Sequence, residues 1–289
     1  MANNIEKFKK YIDLLDEVYK QSSKTQDLDG DTALVRAGAN ANEIIVPKIS
    51  MDGLADYSRN SGYVNGDVNF TYETVPFNYD RGRAFTVDAM DNEETAGLAF
   101  GKLSSEFLRT KVVPEVDAFR FATYAGTEGI GSATGTIENG NDALTALVNA
   151  QSEMDDAEVN EEGRILYITS TLYNQIMNVD ASKSKEVMDS FAKVVKVPQS
   201  RFYTAIELAD GTSENELAGG YKKAEDGKDI NFMIIERSAL LQYPKHKVNK
   251  VVTPEQNQTS DGWKFFYREY GLADVYENKV AGIYLHHKA

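Results

Sequence analysis

The side chains best suited to chemistry are few, and their spacing suits no common site. Histidines stand only at His246, His286 and His287. Adjacent residues of a strand face opposite sides, so the terminal pair does not readily share one metal. The chain has neither the HExxH spacing of a zinc protease nor the GxSxG turn of a nucleophilic serine. Asp27-Leu28-Asp29-Gly30-Asp31 opens like a calcium loop, which needs glycine at its sixth position and a carboxylate at its twelfth. Those positions hold Thr32 and Gly38, so the segment reads as a solvated acidic linker. Gly126-Thr127-Glu128-Gly129-Ile130-Gly131 is glycine-rich, but it trails a helix and carries Glu128 where a phosphate would lie. The chain has no cysteine, which removes thiol catalysis, disulfides and cysteine-held metals together. The expectation is a protein with no catalytic residue, no cofactor and no metal. A cytosolic hydrolase using His246 or His286 stays open as an alternative of another class, because triads are spatial.

Composition sets the bounds. With 289 residues, 42% hydrophobic and 26% charged, the chain is an ordinary globular protein of one large domain or two smaller ones. The formal charge of −14 repels phosphate and disfavours broad nucleic-acid binding. No apolar run is long enough to span a membrane. Met1-Ala2-Asn3-Asn4 does not begin a secretory signal, so the chain is expected to act where it is made, in a cytoplasm.

The elements follow from periodicity. Ile5, Phe8, Ile12, Leu15 and Tyr19 recur at helical spacing, and the polar run 21–31 reads as a tether. This describes an arm seeking a surface, or equally a helix folded onto its own domain. Glu43 to Ile49 reads as a strand with Pro47 near an edge. Val68, Phe70 and Tyr72, then Val75, Phe77 and Tyr79, alternate with polar residues. Asp80-Arg81-Gly82-Arg83 reads as a turn, with Phe85 and Val87 starting the return strand of an aromatic hairpin. Two strands alone are marginal in water, so such a hairpin must lie on something. Ala96, Phe100, Leu103 and Phe107, followed by Val112, Val113, Val116 and Phe119, predict one long helix over 92–125, bent at Pro114. Beyond a glycine-rich hinge, Asp142 opens a helix, Arg164 to Thr169 is a buried strand, and Ser170 caps a short helix. Lys193 to Val197, Phe202 to Ile206 and Ile230 to Glu236 are further strands, with 209–229 a surface loop. Trp263 to Tyr270, Leu272 to Tyr276 and Val280 to His286 complete the chain. The class is α+β.

The stretch Asp80-Arg81-Gly82-Arg83-Ala84-Phe85-Thr86-Val87-Asp88-Ala89-Met90-Asp91-Asn92-Glu93-Glu94-Thr95 resembles tailed-bacteriophage major capsid proteins of the Hong Kong 97-type fold. Val113-Pro114-Glu115-Val116-Asp117-Ala118-Phe119-Arg120 and Ala281-Gly282-Ile283-Tyr284-Leu285-His286 are similar to the same group. The likeness runs from about Ile44 to the C-terminus.

The resemblance implies an architecture: an N-arm and tether (1–56), an E-loop hairpin over a neighbouring subunit (57–90), a peripheral domain built on a spine helix (91–126) and on C-terminal strands (256–289), and an axial domain between them (127–255). It implies a virion protein that assembles with itself, as hexamers and pentamers, into an icosahedral head shell enclosing DNA without reading its sequence. A separate scaffolding protein, since the chain opens directly on its arm, a portal protein and a decoration protein are the implied partners, with assembly in the host cytoplasm. An encapsulin-type nanocompartment shares the fold and is the alternative within it. The expected subunit-interface residues are Phe8, Ile12, Phe70, Tyr72, Phe77, Tyr79, Arg81 and Arg83. Some members crosslink their shells through a lysine of the E-loop. Residues 53–101 contain no lysine, so shells held by non-covalent contacts are expected.

Overall fold

The computed structural model describes residues 23–30, 36–37, 43–90, 98–179 and 181–289. The expected N-terminal helix, with Phe8 and Ile12, lies outside the described residues, as does the start of the long helix before Leu98. What is described is α+β.

Strands β1 (Arg36–Ala37), β2 (Glu43–Met51) and β3 (Val68–Pro76) form one small sheet. The antiparallel pair β2–β3, in register from Glu43 opposite Pro76 to Met51 opposite Val68, is the hairpin, and residues 52–67 are its tip. This corrects the expected return at Asp80-Arg81-Gly82-Arg83. Strand β4 (Tyr79–Asp88) runs straight through those residues and pairs with Gly262–Val275 in a different sheet, Gly82 opposite Arg268. Gly82 is small there for packing reasons: a Cβ would sit 2.7 Å from the Tyr267 carbonyl oxygen. A glycine between charged residues imitates a turn in sequence, although here it marks a close approach of two backbones.

Next come helix α1 (Leu98–Phe107), a π-helical turn over Leu108–Val112, and helix α2 (Val113–Ala125). The π-helical turn stands just before Pro114, where the sequence places an interruption. Pro114 has no N–H to give the carbonyl one turn back and its ring crowds that carbonyl, so the preceding turn widens.

After β5 (Gly131–Thr134), helix α3 (Gly140–Asp156) is capped by Asn139, whose Oδ1 accepts from the N–H groups of Asn141 and Asp142, each at 3.0 Å. Asp142 therefore lies inside the first turn. Then follow β6 (Arg164–Thr169), α4 (Ser170–Met177), α5 (Ala181–Asp189) and β7 (Lys193–Val197). The expected strand from Phe202 begins only at β8 (Ile206–Leu208), which pairs with β9 (Tyr221–Lys223); Phe202 itself is fully buried. Strand β10 (Ile230–Glu236) is buried throughout. Strands β11 (Leu240–Val252), β12 (Gly262–Val275) and β13 (Ile283–His287) end the chain. No break separates Tyr270 from Leu272; β12 passes through Gly271 with β11 alongside it.

Two larger sheets organise the body, with orders β5-β13-β10-β6-β7 and β11-β12-β4. Strand β13, from the segment 256–289, lies in the five-stranded sheet, and β11, from the segment 127–255, lies in the three-stranded one. Helices α3, α4 and α5 cover one face of the larger sheet, where Leu147 and Ile176 meet Leu166, Ile168 and Phe232. Its other face packs on Phe121 and Tyr124 of α2. The first turn of α2 and the π turn fill the inner face of the smaller sheet through Leu108, Val112, Val113 and Val116. Helix α2 is thus buried nearly all round, Glu115, Asp117 and Arg120 included, and buried charges demand partners.

Candidate subunit interface

The hairpin has two unlike faces. At its root Ile44, Val46 and Val75 are buried against Leu241, Tyr243 and Leu272. Side chains alternate along a strand, so Lys48, Ser50, Asn69, Thr71 and Glu73 continue that body-facing side. The opposite side carries the cross-strand pairs Pro47–Tyr72, Ile49–Phe70 and Met51–Val68. Relative exposures there are 51% for Ile49, 69% for Met51, 72% for Val68, 49% for Phe70 and 56% for Tyr72. The Phe70 and Tyr72 rings meet edge to face at 5.0 Å. The subunit itself thus leaves a contiguous apolar ladder uncovered on the outer part of the hairpin.

The tip is shaped as well. Ser58 and Gly62 form a bridge around a tight turn, and Ser58 Oγ accepts from the Asn60 and Ser61 N–H groups at 3.3 Å. Tyr57 and Tyr63 close the neck of this turn with ring centroids 4.9 Å apart. Leu54 and Val64 are exposed beside them.

The structure divides the expected interface residues. Phe70 and Tyr72 lie on the open ladder. Phe77 is half-buried against Tyr270 at 4.9 Å, with the Lys245 ammonium 4.6 Å above its ring. Tyr79 is a core residue, buried beside Leu108 and Val116, 4.9 Å from the Phe119 ring. Its hydroxyl donates to Glu115, and burial followed by the Glu115 charge pushes its pKa well up. Arg81 is committed within the chain: Nε meets Glu115 at 2.8 Å and the two terminal nitrogens donate to the Ala209 and Gly220 carbonyls. Arg83 stays exposed and donates to the Leu217 carbonyl at 2.9 Å. Phe77, Tyr79 and Arg81 are thus engaged within their own subunit. The alternation that named them continues past Pro76 in sequence, but the chain there crosses from the hairpin to the body. Asn78 marks the crossing by pairing its amide with both backbone groups of Ala273. Ile49 and Met51, which the sequence reading left out of the interface, supply two of the six ladder residues. Their alternation Ile45, Pro47, Ile49, Met51 is the signal that could have found them.

The acidic linker is corrected too. Asp117 of α2 accepts from Ser23 Oγ, the Lys24 and Thr25 N–H groups, Thr25 Oγ1 and Arg201. Arg120 reaches Thr25 Oγ1 at 2.9 Å and Asp29 at 3.5 Å. Gln242 donates to the Thr25 carbonyl and to Asp29, while Leu28 is buried in the main core. Burial raises the Asp29 pKa against the pull of Arg120. Residues 23–30 are thus anchored to the body. No group of side chains among the described residues is arranged to hold a metal ion, and none of the described helices is long and apolar enough to cross a membrane.

No protein-family model and no curated protein sequence matches the chain. Solved structures do. A structure from Gordonia phage Cozz aligns with a TM-score of 0.60 at 12% identity, over 93% of this chain and 87% of that one. The capsid of Staphylococcus phage Andhra aligns at 0.56 and 11% identity, over 91% and 84%. A virus-like particle from Pyrococcus furiosus aligns at 0.57 and 12% identity, over 97% and 99%. The chain has the Hong Kong 97-type fold of tailed-phage capsid subunits.

Proposed function

We propose that this chain is a structural subunit that assembles with itself into the icosahedral head shell of a tailed phage. The observation that carries the reading is the hairpin, with an open ladder from Pro47 to Tyr72 projecting from a body of capsid fold. The interface then comprises Phe70 and Tyr72 with Ile49 and Met51, and takes in the exposed Arg83; Phe8 and Ile12 belong to the arm. A scaffolding protein directs assembly, a portal occupies one vertex, a decoration protein adds outside contacts, and the acidic subunit encloses DNA without gripping its sequence. The lobe built on α1, α2 and the three-stranded sheet serves as the peripheral domain, and the lobe with the five-stranded sheet as the axial one.

Electron microscopy of the protein, made alone and together with the product of the neighbouring scaffolding gene, tests this. Closed shells are expected. A chain that stays monomeric at high concentration under both conditions overturns the reading. Native particles filled with enzyme instead of DNA assign the same shell to a nanocompartment.

A further inference from the structure

The hairpin touches the body in two places of different character. Its root is apolar and buried, as described. Just outside the root, Lys48 Nζ of β2 bonds Glu277 Oε2 at 2.5 Å, in the short helical link between β12 and β13. Glu73, one pair along on β3 and on the same face, has its carboxyl pKa raised by burial and then by the negative charges of Glu277 and Asp274 on the body, against the pull of Lys48. Beyond this point every residue from 49 to 72 except Gly62 is exposed. The ion pair is therefore the outermost support of a long lever.

Charge gives the support a sign. Lys48 is the one cation among the groups facing each other here; Glu73 on the hairpin and Glu277 and Asp274 on the body are acids. Without Lys48, like charges face each other across the gap and push the hairpin off the body. From this geometry we infer that Lys48 and Glu277 form a latch that sets the elevation of the hairpin over its own body. The apolar root is the hinge, and Glu73 with Glu277 is the opposing spring. An exposed ion pair biases a two-state equilibrium by only about fivefold, which suits a latch that contact with another molecule must be able to shift. The inference concerns the isolated subunit and does not rest on shell assembly.

The absence of native cysteines makes the test clean. Spin labels on Ser61→Cys at the tip and Ser152→Cys on helix α3 report the elevation as a distance distribution in the monomer. The latched chain is expected to give one narrow distribution. Lys48→Met should shift and broaden it toward longer distances, with the raised population growing about fivefold or more. Adding Glu277→Gln to Lys48→Met removes the repulsion and should draw the distribution back, and the exchanged pair Lys48→Glu with Glu277→Lys should restore it. Molar salt screens exposed charges and should broaden the distribution of the otherwise unaltered labelled chain, an arm independent of any variant's folding. Identical distributions for the latched chain, for Lys48→Met and for molar salt overturn the latch. They leave the shell reading untouched, since microscopy tests that separately.

Discussion

Two side chains carry consequences of their own. His286 is buried in β13, stacked on Phe232, and its Nδ1 lies 3.0 Å from the Asn231 amide nitrogen. That nitrogen can only donate, so the ring accepts at Nδ1 and is neutral. Burial lowers the imidazole pKa below its usual 6.5. The unfolded chain then binds a proton near pH 6 that the folded chain resists. The stabilisation is complete above 6.5 and is lost as the pH falls through the folded value. Chemical denaturation at pH 7.5 and 5.5 should show stability falling at the lower pH, and His286→Gln should flatten that dependence. An unchanged slope in the variant would remove His286 from the account. Lys48 is the other. The expectation of uncrosslinked shells rested on a lysine-free stretch from 53 to 101, but the hairpin begins at Glu43 and includes Lys48. In the monomer that amine is engaged by Glu277, and the expectation of uncrosslinked shells now turns on Lys48. Particles boiled in detergent should release one band at 32.1 kDa, and a ladder of multiples would show that Lys48 reacts.

At the scale of elements, the question is which aromatic residues belong to the body and which to a partner. Phe70 and Tyr72 stand about half exposed on the open ladder, outside the buried clusters of the body, so replacing both with serine should leave the monomer's melting temperature nearly unchanged. In a shell each would bury about 100 Å², contributing ~2.5 kcal/mol before ordering costs, so the double variant should fail to assemble. Tyr79→Ser should instead destabilise the monomer by about 3 kcal/mol or more, because it empties a packed site and strips Glu115 of a donor. Melting curves beside assembly assays separate the cases. A large loss of monomer stability in the Phe70, Tyr72 variant would place the ladder inside the subunit's own fold. These elements also show what a sequence discloses. Strands β6 and β10 were legible because each is a short, largely apolar run, and the interruption of the long helix was legible because proline has one meaning there. Strand β11 was not, since Pro244 and three lysines from 245 to 250 resemble a loop and the strand exists only through its pairing with β12. The hairpin was seen but joined to the wrong partner. Alternation fixes which face a residue occupies and is silent about which strand lies alongside.

For the whole molecule, the design is a body held by buried charge and a lever left outside it. Glu115, Asp117 and Arg120 of α2 tie β4, residues 23–30 and Arg201 to a single helix. The sequence hinted at this only by placing three charged residues in an otherwise apolar helix. The hairpin carries no comparable ties past Lys48 and Glu73, so its tip should open to a protease long before the body does. Trypsin has one site on the exposed tip, after Arg59; Arg81 and Arg83 lie in β4 with their guanidinium groups bonded to carbonyls of the body. Brief digestion of the monomer should therefore cut within 53–101 after Arg59 first, with β4 intact, as read by mass spectrometry. In assembled shells a tip seated on a neighbour has to leave that contact before it can enter the protease, so the same cut should slow by at least tenfold, which corresponds to about 1.4 kcal/mol of docking. Equal rates of cleavage in monomer and shell would show that the tip stays free after assembly, and would confine the contact to the ladder nearer the root.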